Sequence, residues 1–289
     1  MATQAAHART EVDELGSALG ERDVRLLRLL DKLVIRERRS GPEPATDTDL
    51  QTVQAILDGD EPDIVFQRID NLAWGWAQGF EALARFRSEP RRSPDAWFAC
   101  AHQAGVGRDL ELKAAAAAIA ALPSLPERAS LTINVSASTL LSEAFGALIA
   151  TVPAHRLVID VAEHEFVENY EAIAFTCRDL RANGLSIAVD DAGSGFAGLA
   201  HLIRLAPDVI KLDATITRGI NRNVYAREMV ASIVSLARFW KSHVVAEGIE
   251  TEAELATLRR VGVDRGQGYL LGRPMPLADA IAACADDEL

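Results

Sequence analysis

Short apolar runs that alternate with helix-period segments restrict the possible folds of this chain more than any other feature. The segments between them have helical apolar spacing, as in Arg108–Leu122, Tyr170–Ala182, Ala226–Trp240 and Glu252–Val261. Repeated strand–helix–strand units require a mainly parallel sheet, and about eight units over about 225 residues favour a closed (β/α) barrel over an open sheet. The runs are Ile64–Gln67, Trp76–Leu83, Ser130–Val135, Leu157–Val161, Leu185–Asp190, Val209–Leu212, His243–Ala246 and a weaker one near Tyr269.

The first two runs predict one exception to the parallel arrangement. Only Ile69–Gly75 separates them, whereas a crossover between parallel strands needs about a dozen or more residues. This pair is therefore predicted to be an antiparallel hairpin. The predicted fold class is α/β: a TIM-like (β/α) barrel with one antiparallel strand, preceded by an N-terminal helical segment.

Residues 1–60 have a different pattern and are predicted to form an N-terminal helical arm, with residues 61–289 forming the barrel domain. The arm carries an apolar seam at alternating spacings of three and four, which is typical of paired helices. Ser40–Pro44 ends the first helix, and Thr46–Asp49 offers caps for a second short one. Two alternatives stay open, dimerisation through the seam or packing on the barrel of the same chain. The seam consists of Val12, Leu15, Leu19, Leu26, Leu29 and Leu33, and Arg22 and Arg36 interrupt it.

Composition excludes several classes of protein. Thirty basic and 42 acidic residues give a net charge of −12, which disfavours non-specific binding to DNA or to an anionic membrane. Cys100, Cys177 and Cys284 form no CxxC pair, so neither a disulfide framework nor a zinc cluster is indicated. The longest apolar run, Ala114–Leu122, is too short for a membrane span, and the N-terminus lacks a signal-peptide pattern. We therefore expect a cytoplasmic location.

Polar residues follow the predicted strands at the point where each one ends. In a (β/α) barrel the C-terminal strand ends open onto one face, where active sites are built. Residues distant in the sequence should therefore meet there as a ring of carboxylates, amides and one ammonium. In strand order they are Glu81, Asn134, Asp160 with Glu163, Asp190 with Asp191, Lys211 with Asp213, Glu247 and Gln267.

A ring of carboxylates needs a compensating charge, because neighbouring like charges raise one another's pKa. Oxygen ligands without Cys or His suit Mg²⁺ or Mn²⁺ rather than Zn²⁺. Since Asp190 and Asp191 are adjacent, one carboxylate can bridge two ions about 3.5–4 Å apart, the spacing used for in-line attack on phosphate. Lys211 would then orient the attacking water or neutralise a phosphoryl oxygen.

Each of these residues also has a simpler structural interpretation. A single carboxylate at a strand end is more often a helix cap or a surface charge than a ligand. Ser136 after Asn134 is a candidate cap, and Lys211 with Asp213 is a candidate solvated pair. The coincidence at seven strand ends favours the site, since every structural alternative would have to hold independently.

Eight ordered segments carry these residues. They are Val65-Phe-Gln67, Phe80-Glu-Ala-Leu-Ala-Arg85, Ile133-Asn-Val-Ser136, Ile159-Asp-Val-Ala-Glu163, Val189-Asp-Asp-Ala-Gly-Ser-Gly195, Ile210-Lys-Leu-Asp213, Val245-Ala-Glu-Gly-Ile-Glu250 and Gln267-Gly-Tyr-Leu-Leu-Gly-Arg-Pro274. In this order they resemble the EAL-domain cyclic-di-GMP phosphodiesterases of bacteria. A lone Glu-Ala-Leu tripeptide would carry no weight, whereas eight ordered segments between about Ile64 and Leu277 are specific.

The resemblance implies binding of cyclic-di-GMP and, with two Mg²⁺ or Mn²⁺ ions per site, hydrolysis of one phosphodiester to linear pGpG. It also implies inhibition by Ca²⁺ and a homodimer, and a signalling protein is a further candidate partner. Carried over by matched motif, the expected metal ligands are Glu81, Asn134, Asp160, Asp190 and Asp191, and the expected catalytic residues are Glu81, Lys211 and Glu247. Expected substrate contacts are Gln67, Arg85 and Gln267, with Glu163 as the anchor of the loop after the aspartate pair.

This sequence departs from the family pattern at a few positions. The usual Glu-x-Thr-Glu reads Asp160-Val-Ala-Glu163, which withdraws the first carboxylate by about 1.5 Å, one C–C bond length. Metal–ligand distances tolerate only ~0.2 Å, so Asp160 is expected to ligate weakly, through a backbone shift or an intervening water. The next loop reads Asp191-Ala-Gly-Ser-Gly-Phe196 in place of Asp-Phe-Gly-Thr-Gly-Tyr, so altered regulation is expected. Arg68 replaces a proline, and Trp74 replaces a small residue in the hairpin turn.

Three functions remain open at this point. The first is a metal-dependent phosphodiesterase, and the second is a receptor that binds cyclic-di-GMP without hydrolysing it and signals through the N-terminal helices or a protein partner. The third is a degenerate domain that binds only a protein. The retained site residues argue against the third, and Asp160 alone separates the first two.

Overall fold

The structure is a computed structural model, and it describes residues 46–161, 170–189 and 205–285. Within them, eight strands form one closed barrel in chain order. The predicted seam helix, Glu163, and Asp190 with Asp191 and the loop that follows them lie outside the described residues. The strands are β1 (Asp63–Asn71), β2 (Ala77–Arg85), β3 (Ser130–Val135), β4 (Leu157–Val161), β5 (Ser186–Val189), β6 (Val209–Leu212), β7 (His243–Ala246) and β8 (Arg265–Gly266).

Helices alternate with the strands and cover the outside of the barrel, as predicted. The predicted helices Tyr170–Ala182 and Glu252–Val261 coincide with observed ones, and the other two differ by one or two residues at their ends. The described helices are α1 (Asp47–Asp58), α2 (Pro94–Gln103), α3 (Gly107–Ala121), α4 (Ala137–Leu140), α5 (Glu143–Ile149), α6 (Tyr170–Ala182), α7 (Ala214–Thr217), α8 (Val224–Trp240), α9 (Glu252–Val261) and α10 (Leu277–Ala285).

The strand β1 is antiparallel to both of its neighbours, β2 and β8, and the other neighbouring pairs are parallel. The predicted hairpin is therefore confirmed. Its turn is closed by Asn71, whose Oδ1 accepts hydrogen bonds from the amides of Ala73 and Trp74 at 3.0 and 3.1 Å. Gly75 supplies the positive φ of +78° that the turn needs. Because β1 is reversed, this turn lies at the end of the barrel opposite the predicted site.

The eighth strand differs from the prediction. The expected run near Tyr269 is not a strand, and β8 consists of the two residues Arg265 and Gly266. Directly after it, Gln267 donates its amide to the Ala246 carbonyl at 2.8 Å and accepts from the Ile249 amide at 3.1 Å. A strand this short, with a charged residue and a glycine, has no apolar pattern by which the sequence would reveal it.

The barrel interior is layered. Its middle layer is a separate apolar cluster of Ile69, Val158, Ala188, Val209 and Val245. Because successive side chains alternate across a strand, the residues two positions further on point the same way, one step nearer the C-terminal end. Asp160, Lys211 and Glu247 stand at that spacing. The apolar layer is therefore the floor of the predicted polar ring.

The helix α1 packs against the barrel domain. Thr46 and Asp49 form a capping box, in which the Asp49 amide donates to Thr46 Oγ1 at 3.2 Å and the Thr46 amide donates to Asp49 Oδ2 at 2.9 Å. Val53 and Ile56 are buried in one cluster with Trp97 and other residues of α2, β2 and α3. For residues 46–58, packing on the same chain is thus the alternative that the structure shows.

Both ends of α1 are held by charged residues of the barrel domain. At the first turn, Arg92 Nη2 lies 2.6 Å from Asp49 Oδ1. At the last turn, Lys113 Nζ donates to the carbonyls of Ile56, Leu57 and Gly59 at 2.7, 2.9 and 2.6 Å. The last carbonyls of a helix lack partners within it, so Lys113 satisfies groups that would otherwise require water.

A buried carboxylate anchors the loop after β3. Glu111 Oε2 accepts from the amide and the hydroxyl of Ser136 at 2.9 and 2.7 Å, and Glu111 Oε1 lies 2.7 Å from His102 Nε2. Burial raises the pKa of Glu111, but the hydrogen bonds from His102, Thr139 and Ser136 outweigh it and lower the pKa below its ordinary value. This anchor lies two residues beyond Asn134 and fixes the end of β3.

A second carboxylate anchors the loop after β7. Glu254 accepts hydrogen bonds from the amides of Gly219, Glu250 and Thr251 at 2.7, 3.1 and 3.0 Å. Burial raises the pKa of Glu254, but these hydrogen bonds prevail and lower it. The loop that follows Glu247 is thereby tied to the loop that follows α7.

Among the described residues, no helix is long and apolar enough to cross a membrane.

The lowered pKa of Glu254 predicts a pH-dependent contribution to stability. A carboxyl group whose pKa is lower in the folded than in the unfolded state stabilises the fold above its unfolded pKa, and this stabilisation disappears as the pH falls through the folded pKa. We expect Glu254→Gln to lower the free energy of unfolding by about 1–2 kcal/mol at pH 7. The difference from wild type should shrink as the pH falls below the ordinary glutamate range, as measured by thermal unfolding at each pH.

The matched control is Glu252→Gln, which removes an exposed carboxylate from the same helical turn. It should leave the unfolding temperature close to wild type at every pH. If Glu254→Gln destabilised the protein equally at neutral and at acidic pH, the charge of Glu254 would not be the cause.

Candidate active site

Seven of the predicted site residues converge on the C-terminal face of the barrel. Each of them belongs to a different strand or to the residue directly after one, and β5 ends at Val189, directly before Asp190. The seven are Gln67, Glu81, Asn134, Asp160, Lys211, Glu247 and Gln267.

Lys211 lies at the centre of the cluster and is only 3% exposed. Its Nζ lies 2.7 Å from Asp160 Oδ2, 2.7 Å from Glu247 Oε1 and 3.3 Å from Glu81 Oε1. These carboxylates come from β4, the end of β7 and β2, so one ammonium connects three parts of the barrel wall. Lys211 is therefore not the solvated partner of Asp213, whose side chain instead accepts from the Thr215 amide and caps α7.

Glu81 receives hydrogen bonds from two amide side chains as well. Asn134 Nδ2 donates to its Oε1 at 2.9 Å, and Gln267 Nε2 donates to its Oε2 at 2.7 Å. Burial raises the pKa of Glu81, but the Lys211 ammonium and these hydrogen bonds prevail and lower the pKa below its ordinary value. Glu81 is consequently an anion even though it is buried.

The two glutamines form a short chain of hydrogen bonds beside Glu81. Gln267 Nε2 donates to Gln67 Oε1 at 2.9 Å, and Gln67 Nε2 donates to the Gly272 carbonyl at 3.0 Å. Gln267 Oε1 is buried and has no hydrogen-bond partner among the described residues. An unsatisfied buried acceptor at the edge of this cluster marks a position for a donor that a ligand or a water would bring.

The cluster has an excess of negative charge. Three carboxylates share one ammonium, which leaves two negative charges among Glu81, Asp160, Glu247 and Lys211. Charges buried without compensation are costly, and Asp190 would add a further carboxylate at the end of β5. A divalent cation would neutralise the described excess.

The donor atoms suit the predicted metals, because the cluster offers carboxylate and amide oxygens and no Cys or His. Asn134 directs its Nδ2 at Glu81, so its amide would have to turn to present the oxygen to a cation. Within residues 46–161, 170–189 and 205–285, no three His, Cys, Asp or Glu side chains form a complete metal-holding group. The fit therefore depends on Asp190 and Asp191, which lie outside those ranges.

Asp160 is 1% exposed and uses one carboxylate oxygen, Oδ2, to bind Lys211. Its register is that of an inward-facing residue, since Asp160 pairs with Asn134 on β3 and Ala188 on β5. Its role as a metal ligand stays a prediction.

Arg85 is the predicted residue that the structure leaves outside the cluster. It ends β2, four residues beyond Glu81 and on the same face of the strand, and its Nη1 donates to the Ala84 carbonyl at 2.8 Å. Among the described residues it has no hydrogen bond to the other site residues. Its place at the end of β2 puts it at the rim of the barrel mouth.

Sequence reasoning missed the residues that hold the loops beside the cluster. The Thr217 hydroxyl donates to the Glu247 carbonyl, and Gly248 has a φ of +65° and lies against Ala214, where a Cβ would collide. Thr251 and Glu254 form a capping box at α9, a pattern that the sequence does contain. Thr217 and Glu111 belong to no short motif, so no signal in the sequence points to them.

Comparison with known proteins identifies the family. The family model described as "EAL domain" matches residues 50–274. A curated relative, the cyclic di-GMP phosphodiesterase NbdA of Pseudomonas aeruginosa, is 33% identical over 237 residues, which are 78% of this chain and 30% of the relative. The chain spans less than a third of the length of this and of the other curated relatives that it matches best.

Solved structures agree with the fold. The structure described as "PaMucR Phosphodiesterase, c-di-GMP complex" superposes with a TM-score of 0.72 at 24% identity, covering 80% of this chain and 99% of that one. The manganese/cy-diGMP complex of Klebsiella pneumoniae BlrP1 superposes with a TM-score of 0.68 at 31% identity, covering 81% of this chain and 58% of that one. With most of the barrel matched by the family model and eight motif segments in order, this chain belongs to the EAL domain family.

Proposed function

We propose that this chain hydrolyses cyclic-di-GMP to linear pGpG with Mg²⁺ or Mn²⁺ at the C-terminal mouth of the barrel. The observation that carries the proposal is the buried cluster of Lys211 with Glu81, Asp160 and Glu247. It occurs in a member of a family whose relatives are named cyclic di-GMP phosphodiesterases. An excess of two negative charges around one lysine suits a site for divalent cations that bind a phosphodiester.

The residues that would hold two ions are Glu81, Asn134, Asp160, Asp190 and Asp191. Bound Mg²⁺ or Mn²⁺ would neutralise the phosphodiester and lower the pKa of the attacking water. In the reaction, the water oxygen bonds to phosphorus while the bond from phosphorus to the 3′ oxygen breaks. The water loses a proton and the leaving 3′ oxygen gains one, so the product is linear pGpG with a 5′ phosphate.

Glu247 is the carboxylate best placed to take that proton. Its side chain is 22% exposed, whereas those of Glu81 and Asp160 are 8% and 1% exposed. Lys211, bound to Glu247 at 2.7 Å, would hold its carboxylate toward the water and stabilise the negative charge on the phosphoryl oxygens. The hydrogen bond from the Thr217 hydroxyl to the Glu247 carbonyl would hold Glu247 in this position before the substrate binds.

Substrate contacts are proposed for three further residues. Gln267 Oε1, which is buried without a partner among the described residues, would accept a hydrogen bond from the substrate or its water. Gln67 would orient Gln267, and Arg85 at the rim would donate two hydrogen bonds to the second phosphate. Glu163 would anchor the loop that carries Asp190 and Asp191.

Removal of Lys211 tests the proposed site directly. We expect Lys211→Met to lower the rate of pGpG release with Mg²⁺ or Mn²⁺ by at least about 10²-fold, because the phosphoryl charge and the position of Glu247 lose their support. Lys241→Met, which changes an exposed lysine at the end of α8, is the matched control and should retain the wild-type rate. A folded Lys211→Met protein with the wild-type rate would contradict the proposal.

The second candidate function is a receptor that binds cyclic-di-GMP without hydrolysing it. Asp160 favours it, since its carboxylate is one methylene shorter than the usual glutamate and already binds Lys211 at 2.7 Å. A carboxylate that is short and already bound to Lys211 would coordinate one of the two metal ions weakly. Such a site would bind the dinucleotide and turn it over slowly or not at all.

Asp160→Glu separates the two functions. If the short side chain limits the enzyme, this substitution should raise pGpG release about 10–100-fold or lower the metal concentration required, by analogy with losses from altered outer-shell partners. Asp213→Glu, the same change at a neighbouring strand end, should do neither. Unchanged rate and metal dependence would show that Asp160 does not limit the site. Inactivity of both forms, with cyclic-di-GMP binding in Ca²⁺ seen by calorimetry, would establish the receptor.

We also propose that the chain forms a homodimer through the seam of residues 12–33. Replacing Leu26 and Leu29 together by Glu should reduce the mass of the full-length protein measured by light scattering, because two charges would enter the apolar seam. The control is Arg28→Glu, which changes the net charge equally but lies off the seam. An unchanged mass for the double variant would give the seam another role.

A further inference from the structure

An open cleft of about 890 Å³ lies at the end of the barrel opposite the proposed active site. Its walls are the turn between β1 and β2, the N-terminal ends of β2, β7 and β8, and the end of α9. The residues that matter for its chemistry are Trp74, Gln78, His243, Arg259, Asp264 and Arg265. Its volume is in the range of small-molecule sites.

The cleft is separate from the catalytic cluster. Between them lies the apolar layer that contains Val158, Val209 and Val245. The space left inside the barrel at that level is a cavity of about 10 Å³, which is the least that can hold one water. A ligand in the cleft would therefore not reach the cluster around Lys211.

Arg265 places a positive charge at the bottom of the cleft. Its side chain lines both the cleft and the small interior cavity, and desolvation lowers its pKa although Asp264 nearby raises it. Among the described residues no hydrogen bond or ion pair engages its guanidinium. A partly buried arginine whose guanidinium has no hydrogen bond or close ion pair within the described part of the chain can bind an anion.

The acidic residue beside Arg265 offsets only one positive charge of the cleft, and Asp264 Oδ2 also accepts the Val244 amide at 2.8 Å. A second arginine stands on the wall, where Arg259 Nε donates to the Leu72 carbonyl at 2.7 Å and is held there. Arg238 approaches the rim at Gly262. The cleft thus has more positive than negative charge in a chain whose net charge is −12.

An aromatic ring stands at the lip of the cleft. Trp74 is 75% exposed, although its backbone is fixed by Asn71 in the hairpin turn. Its ring lies 6.3 Å from that of Trp76 at an interplanar angle of 34°. A large exposed indole on a fixed turn, in a cleft that also contains two arginines, is an arrangement that can stack a planar nucleobase while cations hold its phosphate.

His243 adds a polar side chain to the wall of the cleft. Partial burial and the charge of Arg265 lower the pKa of His243, so at neutral pH its imidazole is uncharged and can accept a hydrogen bond. Gln78 can both donate and accept. These two groups suit the hydroxyls of a sugar better than a second anion.

We propose that this cleft binds a mononucleotide, with its phosphate on Arg265 and Arg259 and its base on Trp74. The proposal is independent of the reaction at the other end of the barrel. It also gives a role to Trp74, which the catalytic site does not use.

The test is calorimetry on the full chain in EDTA, which removes metal-dependent binding at the catalytic mouth, with GMP, AMP and inorganic pyrophosphate as probes. We expect saturable binding of a nucleotide, and about 10–100-fold weaker binding to Arg265→Gln. Trp74→Ala should weaken nucleotide binding about tenfold and leave pyrophosphate binding unchanged, since only the base would stack. Trp74 is in an exposed turn, so this variant stays informative if Arg265→Gln fails to fold.

Glu81→Gln serves as the control for the catalytic mouth and should bind the nucleotide as wild type does. The absence of saturable binding for both nucleotides would overturn the proposal. Binding that is lost in Glu81→Gln but retained in Trp74→Ala would also overturn it, because the nucleotide would then occupy the opposite end of the barrel.

Discussion

One buried ammonium group organises the C-terminal mouth of this barrel. Lys211 Nζ contacts carboxylates that belong to β2, β4 and the end of β7. These three strands are not neighbours in the barrel, so no backbone ladder joins them directly. Attraction to Lys211 offsets the repulsion among the carboxylates and the cost of burying them. The amides of Asn134 and Gln267 then complete the hydrogen bonds of Glu81. The local geometry of the site thus follows from one charge and its three neighbours.

Much of this arrangement could be predicted from the sequence, because it depends on two simple rules of strand geometry. Strand alternation places Asp160, Lys211 and Glu247 two residues beyond the inward-facing valines, and parallel strands in a barrel bring their ends to one face. The short connection after Ile69 excluded a parallel crossover, and the antiparallel β1 is observed. The cap at Thr46 could also be predicted, since a capping pattern involves only residues that are close in sequence.

The rest depends on contacts between residues far apart in the chain, for which a single sequence carries no signal. Lys113 binds the carbonyl of Gly59, the cap residue of α1, 54 residues earlier, and Glu111 fixes a loop 25 residues away. The two-residue β8 has no apolar run to reveal it. Arg85 was expected to contact the substrate because its motif matches the family, and it does share a face of β2 with Glu81. Neither the motif nor the face determines how far a long side chain lies from the other site residues.

The attachment of α1 has a mechanical consequence. An ion pair holds its first turn through Asp49, Lys113 holds its last carbonyls, and Val53 and Ile56 are buried between. A helix fixed at both ends and along one side cannot pivot or slide by itself, so it is part of the rigid body of the barrel. A displacement of the chain at Thr46 would therefore be transmitted to α2 and α3, because no hinge lies between them and α1. Lys113 lies on α3 together with Glu111, which anchors the strand end that carries Asn134, so the residue that holds the end of α1 is two positions from the residue that fixes this part of the proposed site.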